Sequence, residues 1–155
     1  MTSKHQKSFS CYLLIGLHIF LGVGALFGGG ALILSPDGSM LHIPLNLLHH
    51  SPFNSYLIPG IILFFVLGII PLMTALFLIT EKQMKFVERL CMYKDTHWSW
   101  HSSLYLGFIL IIWITIEIYM VQGIAFIQVF YIFLGLFIQS ITLLPSVKEH
   151  YAITH

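Results

Sequence analysis

Charged residues are scarce in this chain. Only 8% of its 155 residues are Asp, Glu, Lys or Arg, whereas 57% are hydrophobic and the mean hydropathy is +0.89. In soluble globular domains, roughly a quarter of the residues are charged. The shortage excludes such a domain, and no polar stretch is long enough to build its own core. We therefore expect one membrane domain over residues 1–155.

Sequence signatures of several enzyme classes are also missing. The chain has no Gly-rich phosphate loop, no nucleophile elbow, no H-E-x-x-H and no pair of acids within its apolar runs. Its two cysteines, Cys11 and Cys91, form no C-x-x-C motif. The low charge argues against nucleic acid as a partner. We expect neither a cofactor nor a metal ion, and a non-enzymatic protein is favoured over an enzyme.

Four apolar runs are each long enough, at about 20 residues, to cross a membrane. They occupy residues 11–34, 56–79, 104–121 and 124–144. A segment in lipid must satisfy its own backbone polar groups, which favours helices. The predicted fold class is all-α, a bundle of four transmembrane helices.

The basic residues all fall on one side of these runs. They precede the first, lie between the second and third in residues 80–103, or follow the fourth. The positive-inside bias then predicts that both termini and residues 80–103 face the cytoplasm. Residues 35–55 would lie outside, and we call this segment the cap.

The cap combines turn signals with apolar side chains. Its first residues, Ser35-Pro36-Asp37-Gly38, predict a turn. Pro44 and Pro52 prevent one continuous helix. We expect a short helix over residues 44–50 and a second beginning near Pro52, forming an amphipathic or re-entrant cover over the bundle.

One acid lies inside the predicted spans. Glu117 is about one turn from the outer end of the third span, and Gln128 in the fourth lies at the same depth. An ionisable group within a span is a functional candidate because its burial is costly. With His42, His49 and His50 of the cap, these residues predict a polar ligand site. The alternative is a structural glutamate that holds the cap to the bundle.

The histidine pattern gives little support to a metal site. His49 and His50 are adjacent and would point about 100° apart on a helix. His97 and His101 have the spacing of two ligands on one helix face, but the sequence supplies no third ligand beside them. An interfacial aromatic belt is the favoured interpretation of the HWSWH sequence that contains them.

Small residues and single polar groups in the first two spans predict helix packing. Gly24 and Gly28 have the spacing that lets another helix approach closely, and Gly29 and Gly30 follow. A dimer face or a lipid groove are the alternatives. We expect His18 to be neutral and hydrogen-bonded to a neighbouring helix, and the second span to kink at its interior proline.

The chain resembles a group of small, uncharacterised four-span bacterial membrane proteins. The resemblance is carried by the run GGGALILSPDGSMLHIPLNLLHHSPFNSYLIPGIIL, a tryptophan-bearing third span and a fourth ending LLPSV. It implies the architecture alone. Together with the predicted orientation, it indicates the inner (cytoplasmic) membrane.

Two functions remain open from the sequence. The favoured one is a non-enzymatic accessory or scaffold protein that packs against partner helices or lipids through its glycine face and cap. The alternative is a lipid- or small-molecule-handling protein, a transporter or an enzyme, with its polar site near Glu117. The expected partners are membrane lipids, a partner membrane protein or a second copy of the chain.

Overall fold

The computed structural model describes residues 6–82 and 96–153 as an all-helical chain. The helices are α1 (Phe9–Leu34), α2 (Leu57–Thr80), α3 (Trp98–Val121), α4 (Phe126–Leu143) and a short α5 (Pro145–His150). Helices α1 to α4 are long and apolar enough to cross a membrane, which confirms the predicted four-helix architecture. The helical spacing of charged and apolar residues after the second span also predicts an amphipathic extension of that helix. It falls mostly on residues 83–95, which lie outside the described residues.

Helix α3 begins six residues before the predicted span. The imidazole Nδ1 of His97 accepts a hydrogen bond from the backbone N–H of Ser99 at 3.3 Å and so caps the helix. Trp98 and Trp100 are buried, and the Trp100 indole donates to the carbonyl of Thr142 at 2.7 Å. These rings pack against protein, and the predicted interfacial depth of the HWSWH sequence stays a prediction.

Glycines bring α1 and α2 into backbone contact. A Cβ on Gly29 would lie 2.6 Å from the backbone nitrogen of Phe64 and 2.8 Å from the carbonyl oxygen of Gly60. A Cβ on Gly22 would lie 2.9 Å from the carbonyl oxygen of Gly68. Only glycine fits at such distances, so α1 and α2 pack as one tight pair.

The middle of α2 is wider than an α-helix. Residues Leu63–Ile69 form a π-helical stretch, and the N–H of Ile70 reaches back five residues to the carbonyl of Phe65. Pro71 follows directly and is buried. A wider turn leaves room for the proline ring, which would otherwise clash with a carbonyl one turn earlier. The kink predicted at Pro71 stays a prediction.

Residues near both ends of the described chain contact the end of α2 that is opposite the cap. Lys7 donates to the carbonyls of Leu78 and Ile79, and its ammonium lies 3.0 Å from the Glu81 carboxylate. The Tyr151 hydroxyl donates to the same Leu78 carbonyl at 2.9 Å. A cation at a helix C-terminus interacts favourably with the helix dipole.

The cap folds back over the helices through Tyr56. The predicted turn is present, with Gly38 at φ 79° and the Asp37 carboxylate accepting hydrogen bonds from Ser39. The Tyr56 N–H donates to the carbonyl of Pro36 at 2.8 Å and its hydroxyl to that of Pro44 at 3.0 Å. These bonds attach the cap to the start of α2.

The short helices of the cap differ from their prediction. Within the predicted helix over residues 44–50, one 3₁₀ turn forms at Leu45–Leu48, and another forms earlier at Ser39–Leu41. The second helix expected near Pro52 is wrong, because the next helix starts at Leu57. The hydrogen bonds of Tyr56 hold the intervening chain in an irregular path.

Candidate functional site

A cavity of about 260 Å³ lies between the cap and the bundle. Helices α1 to α4 and the cap all contribute to its wall. An apolar cavity of about 150 Å³ is already enough to bind benzene, so this one can hold an apolar group of substantial size. The wall is predominantly aliphatic, and its aliphatic members include Leu21, Ala25, Leu32, Leu41, Ile43, Leu48, Leu63, Leu67, Leu110, Ile114, Val121 and Ile127.

Glu117 and Gln128 form the polar part of the wall. The Gln128 side-chain amide donates to Oε1 of Glu117 at 3.2 Å, and its carbonyl oxygen accepts the backbone N–H of Ala125 at 2.8 Å. Gln128 is only 4% exposed. Its side chain thus caps the first turn of α4 while it orients the carboxylate of α3.

Three aromatic residues with polar atoms stand in the same wall, namely Tyr56, Trp113 and Tyr131. Trp113 is one turn from Glu117 on α3, and Tyr131 is three residues from Gln128 on α4. The indole N–H of Trp113 is buried and has no hydrogen-bond partner within residues 6–82 and 96–153. The wall therefore contains a donor that no described residue pairs with.

Burial raises the pKa of Tyr56, which lies just before the first residue of α2. The phenol therefore stays protonated and donates to the carbonyl of Pro44.

The structure separates the predicted histidines from the predicted acid. His42, His49 and His50 are exposed on the cap, and none of them lines the cavity. His42 has a left-handed backbone at φ 55°, and the rings of His49 and His50 are 6.4 Å apart. Glu117 and Gln128 are therefore the two members of the predicted site that the fold brings together.

The four glycines predicted to pack against another helix, Gly24, Gly28, Gly29 and Gly30, have different surroundings. Gly29 is buried against α2, and a Cβ on Gly30 would lie 3.7 Å from the Phe64 ring, an ordinary contact. Gly24 and Gly28 line the cavity instead. Their missing side chains leave room beside the polar groups.

A second polar cluster lies deeper in the bundle. The Nε2 of His18 and the Ser103 hydroxyl are 2.7 Å apart, and the hydroxyls of Ser103 and Thr142 are 2.8 Å apart. Thr142 donates to the carbonyl of Ile138, so Ser103 donates to Thr142 and His18 donates from Nε2. The interhelical hydrogen bond predicted for His18 is confirmed.

Sequence reasoning missed Ser103 and Thr142 as partners of that histidine, and Tyr56 as part of the cavity wall. Helical spacing from Glu117 and Gln128 could have pointed to Trp113 and Tyr131 as neighbours. Nothing local in the sequence indicates Tyr56, because its position depends on the path of the cap.

No group of three or more His, Cys, Asp or Glu side chains that could hold a metal ion occurs in the part of the chain that the structure describes. No known protein family, curated protein or solved structure matches the chain. The functional argument therefore depends on the geometry of the cavity.

Proposed function

We propose that this multi-pass membrane protein binds an amphipathic molecule, a lipid or lipid-soluble compound, in the cavity beneath the cap. The observation that carries the proposal is the position of Glu117, the one acid of the four spans, in the wall of an otherwise apolar cavity. A concave apolar site with a few convergent polar groups is the usual form of a small-molecule site. An acid at membrane depth is retained at a free-energy cost.

The polar end of the ligand is a hydrogen-bond donor such as an alcohol or an amine. Among the residues that the structure describes, those that line the cavity include one carboxylate and no lysine, arginine or histidine. An anionic head group would have no cation to pair with and would lie close to Glu117. A donor can instead satisfy the carboxylate oxygens that Gln128 does not use.

The accessory or scaffold role receives less support from the packing. That role requires the glycine face of α1 to contact a partner helix. In the structure, Gly22 and Gly29 are instead buried against α2 of the same chain. Partner contacts of the exposed apolar faces, with lipid, another membrane protein or a second copy, are compatible with ligand binding. They would act beside the cavity and do not compete with it.

We also propose that both termini face the cytoplasm and the cap faces outward across an inner membrane. The basic residues carry this orientation, and Lys7, Lys82 and Lys148 are those among the described residues. The test uses a variant in which both native cysteines are serine. Labelling of intact cells with an impermeant maleimide should modify Met40→Cys but leave Ser146→Cys unmodified until lysis, and the reverse pattern would refute the orientation.

Binding can be tested with brominated single-chain probes in purified protein. Bromine quenches tryptophan fluorescence on contact, and the difference between the wild type and Trp113→Phe isolates the signal of the cavity residue. A long-chain primary amine and the matching alcohol should quench this signal. The carboxylic acid of the same chain length should not.

Glu117→Gln provides the residue-specific test. The amide can still accept from Gln128, so folding should be retained, whereas loss of a charge-assisted bond of about 1.5–3 kcal/mol should weaken amine binding by about tenfold or more. Glu149→Gln, an exposed acid on α5, is the matched control. Absence of quenching with all probes, or equal binding of the carboxylic acid, would overturn the proposal.

A further inference from the structure

Side-chain contacts join α1 to α4 at the level of Phe130 and Tyr131, but not at the next level towards the cap. The rings of Phe20 and Phe130 meet edge to face with centroids 6.0 Å apart. The Tyr131 hydroxyl lies 3.1 Å from the position that a Cβ on Gly24 would occupy. Beyond these contacts, towards the cap, no hydrogen bond or ring contact joins α1 to α4 among residues 6–82 and 96–153.

Ile127 lies one turn nearer the cap than Tyr131 and faces two environments. It lines the cavity and is also 53% exposed on the outside of the bundle. The other lining residues are buried or half-buried. Gly28 lines the cavity from α1, one turn nearer the cap than Gly24, and a Cβ on it would lie 3.4 Å from the Leu63 side chain of α2. At the level of Gly28 and Ile127, the cavity wall therefore combines an exposed side chain with a residue that has none.

We infer that the ligand enters sideways from the membrane through the gap between Gly28 and Ile127, which we call the side entrance. The inference rests on the proposed ligand-binding function and adds the source of the ligand. A molecule that enters here is dissolved in the half of the bilayer nearest the cap, and it does not need to cross the cap from water.

The cap itself gives a physical reason for this route. Leu32, Leu48 and Tyr56 form a buried apolar cluster over the cavity. Tyr56 also holds the cap by its hydrogen bonds to the carbonyls of Pro36 and Pro44. Entry through the cap would break these contacts, whereas entry between α1 and α4 displaces lipid alone.

The cavity volume narrows the class of ligand further. About 260 Å³ can enclose a head group with part of a chain, since a drug-sized ligand needs roughly 300–1,000 Å³. A single-chain amphiphile can place its donor group near Glu117 while the rest of its chain extends through the side entrance into lipid. The structure thus favours long-chain alcohols or amines over two-chain phospholipids.

The test measures the kinetics of the brominated amine and alcohol with protein in lipid nanodiscs. Ile127→Phe should partly close the side entrance and lower the association rate constant by about tenfold, for a barrier raised by about 1.4 kcal/mol. Ile127 also lines the cavity, so the Kd is measured in parallel, and we expect the fall in the association rate constant to exceed any rise in the Kd. Leu136→Phe, an exposed position elsewhere on α4, is the matched control.

Gly28→Phe gives a second variant from the opposite side of the gap. Gly16→Phe is its control, because a Cβ on Gly16 has nothing within 4 Å. A fall in the association rate constant that exceeds any rise in the Kd, in Ile127→Phe or in a folded Gly28→Phe, supports the side entrance. Wild-type association kinetics in Ile127→Phe and in any folded Gly28→Phe would overturn the side entrance but leave the binding site intact. Failure of the wild type to bind any probe would remove the proposed function and this inference together.

Discussion

The side chain of Gln128 joins the carboxylate of Glu117 on α3 to the backbone N–H of Ala125 at the start of α4. One amide thus bonds a half-buried acid with its donor and the exposed N-terminus of α4 with its acceptor. Removal of this side chain takes a donor from a carboxylate in the cavity wall and an acceptor from the start of α4, which ties the stability of the α3–α4 hairpin to the cavity.

Gln128→Leu should therefore lower the free energy of unfolding by about 1–3 kcal/mol, the usual cost of an unsatisfied buried polar group. Reversible unfolding in mixed detergent micelles measures it. Ser140→Ala is the control, because Ser140 is exposed and bonds only within its own helix. Equal stability of the two variants would show that the Gln128 bonds contribute nothing.

Substitution of glycine by alanine in α1 should have opposite effects on stability at tightly packed and at open positions. Gly29→Ala puts a methyl group 2.6 Å from the Phe64 backbone and should destabilise the protein, because backbone cannot move aside cheaply. Gly16→Ala has open space and should stabilise α1 by up to about 1 kcal/mol through helix propensity. Thermal denaturation of the two variants in one detergent gives the comparison, and equal melting temperatures would contradict it.

Ser103→Ala should lower the free energy of unfolding, because it interrupts the series of hydrogen bonds that runs from His18 through Ser103 to Thr142. The His18 N–H loses its acceptor and Thr142 its donor, and both are fully buried. We expect a loss of about 1–3 kcal/mol, above the average of about 0.6 kcal/mol for hydrogen bonds in a membrane. The double variant His18→Leu/Ser103→Ala should be less than additive in unfolding experiments, and strict additivity would count against this series of bonds.

The stability of the end opposite the cap should depend on pH through Glu81. Burial raises the pKa of Glu81, but hydrogen bonds from Lys7 and His150 and their charges outweigh it, so the pKa lies below its ordinary value of 4.5. A lowered pKa means that the stabilisation is complete above the unfolded-state value and is lost as pH falls through the folded-state value. Acidification below 4.5 should thus weaken the contact between the chain ends and α2.

Melting temperatures recorded from neutral pH down to about pH 3 test this dependence. Glu81→Gln should flatten the acid part of the curve. Asp37 in the cap also has a lowered pKa, because the hydroxyl of Ser35 and then the N–H and hydroxyl of Ser39 donate to its carboxylate. Asp37→Asn is the control, and it should leave the Glu81-dependent part in place. An unchanged acid response in Glu81→Gln would exclude this ion-pair group as its source.

Much of the architecture follows from the sequence because lipid limits the choices. Helix number and the pairing of α3 with α4 come from the length of the apolar runs and the short turn between the last two. The positions of Glu117 and Gln128, near the outer ends of the third and fourth runs, place the two residues at one depth. Their proximity is the part of the candidate site that could be predicted from the sequence.

Other features depend on contacts between distant segments. The HWSWH sequence has the composition of an interfacial belt. In the structure, however, Thr142 of α4 and Tyr151 after α5 contact this region and help to bury it. The histidines of the cap cannot be placed without the hydrogen bonds of Tyr56 to Pro36 and Pro44. Local patterns carry no information on these pairs, so the early start of α3 and the outward histidines could not be predicted.

The shared acceptor at Leu78 has a consequence for the end of the molecule opposite the cap. Lys7 and Tyr151 bind the same carbonyl oxygen, so side chains from two segments that are far apart in the sequence converge on the last turn of α2. Fraying of that single turn would release both segments at once.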